Sequence, residues 1–216
     1  MFDYFKSFFD FFLNLDDHLA EFVMQYGSGT YFILFAIVFV ETGLVIMPFL
    51  PGDSLLFAAG AIAAITELRF IVLYFGFIGA ALLGDNINYF FGRYLGQKVY
   101  DMDSRWIKRK YLDEATVFYK KYGPFAIILA RFMPFVRTFA PFVAGVAKMQ
   151  YIKYLIFSFL GAVGWVSIFL TLGFFFGNIN WIKNNFAFVS LGIIAISILP
   201  MIYKYINKRM LKGNIV

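Results

Sequence analysis

The chain has no cysteine among its 216 residues, which excludes disulfides, thiol nucleophiles and thiolate metal sites. Histidine is almost as scarce: His18 stands alone in the N-terminal segment, so a phosphohistidine mechanism has no nucleophile further along. Charged residues reach only 15%. What fills the space is apolar, with 62% hydrophobic residues, 31 of them Phe, and a mean hydropathy of +0.75. A soluble domain is roughly 45–50% apolar, so this is the composition of a membrane protein, and no nucleic-acid partner, metal or cofactor is expected. The apolar stretches run from about residue 31 to 203 with one substantial polar interruption, which leaves room for a single membrane domain over 1–216.

Near the start, Lys6 is the only cation against Asp3, Asp10, Asp16, Asp17 and Glu21. Without a basic start or a small-residue cleavage site, the segment is not a signal peptide and is expected to belong to the mature protein. Residues 2 to 26 place Phe2, Phe5, Phe9, Phe12, Leu13 and Leu19 on one side and, Asp16 excepted, the acids toward the other. That pattern predicts an amphipathic helix at the interface, within an N-terminal segment of residues 1–28.

Apolar runs follow at 31–50, 54–65, 70–92, 125–147, 154–177 and 186–203. A crossing needs about 20 residues, so 54–65 is too short, and the run before it ends in "MPFLPGD", where Pro48 and Pro51 each remove a backbone donor. Residues 31–65 are therefore predicted to form a re-entrant hairpin. The run at 125–147 is interrupted by Pro134 and Pro141, which predicts a second hairpin. Its two arms of about 9 residues each reach roughly 14 Å, half the bilayer core.

An internal repeat fits this division. "FAAGAIA" at 57–63 resembles "FVAGVAK" at 142–148, and Gly79, Gly92 and Gly96 keep step with Gly161, Gly173 and Gly177 if one residue is inserted. A hairpin returns to its own side and a span crosses once, so two such units in series have opposite orientation. The predicted fold is thus an all-α polytopic membrane protein. Its inverted repeat has two re-entrant hairpins, each followed by a transmembrane helix, over 29–96 and 124–178, and a last transmembrane helix and basic tail occupy 179–216. The linker at 97–123 and its approach carry Arg93, Lys98, Arg105, Lys108, Arg109, Lys110, Lys120 and Lys121, which predicts a cytoplasmic linker and C-terminus. Ile107, Tyr111, Ala115, Phe118 and Tyr122 give that linker a helical stripe, suited to an interfacial helix or an ordinary packed one.

Five ionisable residues fall at membrane depth: Glu41, Asp53, Asp85, Arg131 and Arg137. Each costs about 2.5–3.5 kcal/mol if unpaired at a helix centre, so they are expected to face one another or a wet cavity. A guanidinium stays charged and its planar fork holds two phosphate oxygens at once, which makes Arg131 and Arg137 candidate anion ligands. Carboxylates such as Glu41 and Asp53 can exchange protons when desolvation and a neighbouring cation compete over them. Buried ion pairs that merely hold the hairpins together would use the same residues. Asp85, Asn88 and Arg93, in "GDNINYFFGR", are supporting polar candidates, for a pathway or for helix contacts. Trp165 and Trp181 need no role beyond packing or anchoring.

"FVETGLVIMPFLPGDSLLFAAGAIA", "GDNINYFFGRYLG" and "ARFMPFVRTFAPFVAGVAKM" resemble the signature segments of the DedA family of bacterial inner-membrane proteins, related to the SNARE-associated Golgi (VTT) proteins of eukaryotes. The resemblance runs over nearly the whole chain. It implies two facing re-entrant hairpins and lipid translocation driven by the proton motive force, with undecaprenyl phosphate or phosphatidylethanolamine as substrate. It further implies that an acidic pair and an arginine pair matter, here Glu41, Asp53, Arg131 and Arg137. On this basis the expectation is a flippase-like transporter in the cell inner membrane, not an enzyme: Arg131 and Arg137 bind lipid phosphate while Glu41 and Asp53 carry protons. A phospholipid translocase, a proton-coupled small-solute exporter and an intramembrane aspartyl protease built on Asp53 and Asp85 are the rival readings, and the last leaves the arginines unexplained. Both a monomer and a homodimer are compatible with the sequence.

Overall fold

The computed structural model describes residues 25–43, 52–101, 123–177, 179–184, 188–189 and 192. The expected N-terminal amphipathic helix, Pro48 and Pro51, the expected linker helix and most of the last apolar run lie outside the described residues. Within them all regular structure is helical: α1 (Gly29–Gly43), α2 (Gly52–Ala63), α3 (Phe70–Asp101), α4 (Phe125–Arg131), α5 (Pro134–Val146), α6 (Tyr151–Phe176) and the short α7 (Asn180–Asn184).

Among the described residues, two helices are long and apolar enough to cross a membrane. Phe70–Leu95 and Tyr151–Phe176 each supply 26 residues at mean hydropathies of 1.8 and 2.2. At 1.5 Å per residue each reaches about 39 Å, more than the roughly 30 Å hydrocarbon core. Helix α3 outruns its apolar stretch and continues to Asp101, since Arg, Gln and Lys are good helix formers and nothing in "GRYLGQKVYD" breaks the backbone ladder.

The contacts between helices give their senses. Tyr74 and Ser167 share a hydrogen bond of 2.8 Å, Phe70 meets Phe174 edge-on at 5.1 Å, and Tyr89 stacks on Tyr154 at 4.3 Å. Helices α3 and α6 therefore run in opposite directions. Helix α1 follows α3 in the same sense: the Arg69 amide donates to the Tyr31 hydroxyl at 2.6 Å, Phe35 meets Phe77, and the Gly43 backbone lies against Gly84. Helix α2 covers the return, from Gly52, whose amide donates to Glu41 at 3.3 Å, back toward Arg69. In the same way α4 follows α6, with Ile128 against Gly161 and Phe132 near Gly164.

The second arms are exchanged. Helix α2 packs on α6, and α5 packs on α3. A side chain on Gly60 would strike the Leu170 carbonyl and Phe174 amide, and one on Gly173 the Phe57 carbonyl. Gly145 stands in the same relation to the Tyr89 carbonyl and Arg93 amide, and Gly92 to the Phe142 carbonyl. These are the positions that correspond in the two sequence repeats, so one close backbone crossing occurs twice. Around it lies an apolar core that includes Leu34, Val38, Leu56, Phe77, Ala162 and Leu170.

The break in the 125–147 run sits at one proline, not two. Met133 is extended (φ −117°, ψ 107°), as a residue before proline prefers, and Pro134 opens α5 where its missing donor is harmless. Pro141, expected to break the run as well, lies inside a continuous helix, so the arms have 7 and 13 residues. Pro141 cannot donate to the Arg137 carbonyl, yet packing of Phe142 and Gly145 on α3 holds the helix through it. After α5 the chain turns at Lys148, whose φ of 52° is left-handed, with its amide bonded to the Gly145 carbonyl at 2.9 Å.

Candidate functional site

The ends of α1 and α4 and the starts of α2 and α5 bring charge into this apolar body. Glu41 lies in the last turn of α1, Asp53 in the first turn of α2, Arg131 ends α4 and Arg137 lies one turn into α5. Asp85 joins them from the middle of α3. All five are buried, from 1% exposed for Glu41 to 9% for Arg137.

They form two ionic groups. Arg137 donates through Nη1 to Asp53 Oδ1 at 2.6 Å and through Nη2 to Glu41 Oε1. Arg131 donates through Nη1 to Asp85 Oδ2 at 2.5 Å, and the same carboxylate oxygen accepts the Ser158 hydroxyl at 2.6 Å. Tyr154 donates to the Asp85 carbonyl at 2.8 Å. Between the groups stands Trp165. Its indole N–H donates to Asp53 Oδ1 at 2.8 Å, and its ring centroid lies 5.5 Å from the Arg131 guanidinium carbon and 5.4 Å from that of Arg137. Each cation thus gains an aromatic face in place of water.

The backbone is arranged to admit these groups. A methyl at Gly52 would occupy the seat of the Glu41 carboxylate, so only glycine lets the α2 amide approach it. Asn88 donates to the Thr42 carbonyl at 2.5 Å and more weakly to that of Thr138 at 3.5 Å, tying α3 to the last turn of α1 and to α5. Several buried polar atoms have no hydrogen-bond partner: Glu41 Oε2, Arg137 Nε, and Arg131 Nε and Nη2. A small cavity lined by Thr42, Asp85, Arg131, Arg137, Pro141 and Trp165 has about 10 Å³ of room, roughly that of one water.

The structure therefore brings Glu41, Asp53, Asp85, Asn88, Arg131 and Arg137 together, with Pro134 and Pro141 flanking Arg137 in sequence. Arg93 is apart: it is exposed, two turns along α3 from Asp85, and donates to the Tyr89 hydroxyl at 2.9 Å. Sequence reasoning missed Trp165 and Ser158. The available signal was position, because Trp165 sits mid-span rather than at the interface where tryptophan usually anchors. Trp165→Phe is expected to keep the aromatic face but leave Asp53 one donor short, costing about 1–3 kcal/mol; thermal unfolding of the purified protein in detergent checks this. Among the described residues no cluster of His, Cys, Asp and Glu is set to hold a metal ion.

Comparison with known proteins points one way. A model of the VTT domain matches residues 50–175. Protein DedA of Escherichia coli is 46% identical over 203 residues, covering 93% of each chain. An uncharacterized membrane protein of Mycobacterium leprae, ML0287, is 41% identical over 165 residues, 76% of this chain and 74% of its own. The inner membrane protein YghB of Escherichia coli is 34% identical over 161 residues, 73% of each. No solved structure matches the chain.

Proposed function

The chain belongs to the VTT-domain, DedA family of membrane proteins, and from that premise we propose that it carries a phosphate-bearing lipid across the bacterial cytoplasmic membrane. The observation that carries this reading is the buried meeting of two guanidiniums with three carboxylates at four helix ends and the middle of a span. A purely structural protein has little use for five charges at depth, each costly and more costly still if one partner is lost. A lipid phosphate is the anion that such a place can receive while its tails remain in hydrocarbon.

In this reading the pairs α1–α2 and α4–α5 are re-entrant hairpins that dip into the membrane from opposite sides, and α3 and α6 are the spans of an inverted repeat. The doubled glycine crossing and the opposite senses of α3 and α6 support it. The basic linker and tail face the cytoplasm, and the protein is an inner-membrane transporter of several spans, not an enzyme. The phosphate is received within the cluster that holds the arginine pair, Arg131 and Arg137; Glu41 and Asp53, released when their ionic group with Arg137 opens, take up and return protons, coupling movement to the proton motive force. Undecaprenyl phosphate is the first candidate and phosphatidylethanolamine the second, because both present the same group.

Liposomes containing the purified protein test this directly. Undecaprenyl phosphate is expected to cross them faster under an imposed pH gradient, and Arg131→Ala or Arg137→Ala to bring the rate to that of empty liposomes. Movement of phosphatidylethanolamine alone would change the substrate. Movement of neither lipid would defeat the proposal.

A further inference from the structure

The two arginines are not equivalent, and their difference assigns them separate tasks. Both terminal nitrogens of Arg137 are engaged by carboxylates, Asp53 on one and Glu41 on the other, which leaves only Nε without a partner. Arg131 is the reverse. Asp85 holds Nη1 alone, while Nε and Nη2 carry no hydrogen bond although the side chain is 6% exposed. Those two atoms lie on the same edge of the guanidinium, the side-on edge whose parallel N–H bonds match two oxygens of one phosphate. Buried donors without partners are costly, so this edge is one that a ligand would satisfy. It belongs to a residue that lines the cavity beside Trp165.

We infer that Arg131 is the residue that takes the phosphate, through Nε and Nη2, and that Asp85 and Ser158 are positioning residues that aim it, while Arg137 with Glu41 and Asp53 is a closed ionic latch beside it. The inference rests on the proposed phosphate site and divides its labour. Asp85 is itself fixed from two sides, by the Ser158 hydroxyl on its carboxylate and the Tyr154 hydroxyl on its carbonyl, so the guanidinium it grips has one orientation. The cavity has room for about one water, so a phosphate enters only when the latch parts.

The position of Asp85 gives the inference an unusual sign. If the site attracted anions by charge alone, removing this carboxylate would strengthen binding, because a negative neighbour would be gone. If Asp85 positions Arg131, removing it weakens binding although the site becomes more positive. Lysine substitution separates the arginines in the same manner, since an ammonium keeps the charge and lacks the fork.

The experiment uses the full chain in nanodiscs with Trp106→Phe and Trp181→Phe, which leaves Trp165, beside both guanidiniums, as the only tryptophan reporter. Its fluorescence is titrated with dioctanoyl phosphatidic acid and, separately, with inorganic phosphate. Arg131→Lys is expected to weaken lipid binding roughly tenfold to a hundredfold, the worth of one or more lost charge-assisted hydrogen bonds. Arg137→Lys is expected to weaken it at least about threefold less than Arg131→Lys does, because the charge is kept and the lost fork served the latch carboxylates and not the phosphate. Asp85→Asn, which keeps the size of the side chain, should weaken binding, and Ser158→Ala should do so to a smaller extent. Equal losses for the two lysine variants, or tighter binding by Asp85→Asn, would overturn the division of labour while leaving a phosphate site in place. Inorganic phosphate bound as tightly as the lipid would keep the role of Arg131 and overturn the lipid reading. No response of the unsubstituted arginine pair to either probe would end both.

Discussion

Arg137→Ala is expected to be the most damaging single substitution in the described part of the chain, abolishing the proposed translocation and lowering stability by about 3–5 kcal/mol. The cause is charge left behind. Glu41 and Asp53 both bond to this guanidinium, and without it two buried carboxylates face each other across the gap between α1 and α2. For a chain of this length the loss corresponds to a fall of roughly 6–20 °C in the thermal midpoint. The cause can be isolated by neutralising the acids as well. Arg137→Met together with Glu41→Gln and Asp53→Asn removes every charge of the latch, and replacing a whole buried ionic group by neutral residues is often harmless to stability. The triple variant should therefore unfold near the temperature of the unsubstituted protein yet remain inactive. A triple variant as unstable as Arg137→Ala would show that the guanidinium supports the fold by packing and not by charge balance.

The second large effect is expected at the doubled crossing. Gly145→Val would push a branched side chain into the Tyr89 carbonyl and the Arg93 amide, and Gly60→Val into the Leu170 carbonyl and the Phe174 amide. Backbone atoms of a packed helix cannot swing aside as a side chain can, so each substitution should reach or exceed the roughly 1–3 kcal/mol typical of overpacking. The two should act alike because the contacts are alike. Gly79→Ala supplies the contrast: a methyl there meets nothing within 4 Å, and alanine favours a helix over glycine by about 1 kcal/mol, so the variant should be neutral or stabilised. Thermal unfolding of all three in one detergent decides the matter. A destabilised Gly79→Ala beside an unaffected Gly145→Val would remove the crossing as an explanation of the glycine pattern.

These glycines also show how much of the fold could be read from the residues. Their matched spacing in the two halves was visible in the sequence, and it marks where the helices meet. So was the break at Pro134, because proline constrains the residue before it wherever it occurs. Pro141 was misleading for the opposite reason: whether an internal proline ends a helix depends on what packs beside it, and α3 is contributed by residues some fifty positions away. The membership of the charged cluster was legible because charge is conspicuous among apolar residues. Its pairing was not. Three acids and two arginines allow several assignments, and the choice of Asp85 for Arg131 depends on how α3 is rotated against α4 and α6. Trp165 was read as packing or anchoring: its mid-span position argued against an anchor, but nothing in the neighbouring residues tells an indole packed among apolar side chains from one that stands between two guanidiniums.

The latch joins parts of the chain that are made far apart in time. Arg137 lies 84 positions after Asp53 and 96 after Glu41. At roughly 5–20 residues per second, the ribosome delivers the arginine about 5–20 s after the first of its acids. For that interval the first pair of arms has no cation to receive it at depth, and its second arm has no α6 to lie against. The early half must therefore wait at the water's edge or in the keeping of the insertion machinery. A fragment that ends before Arg137 would leave both acids without the cation that receives them.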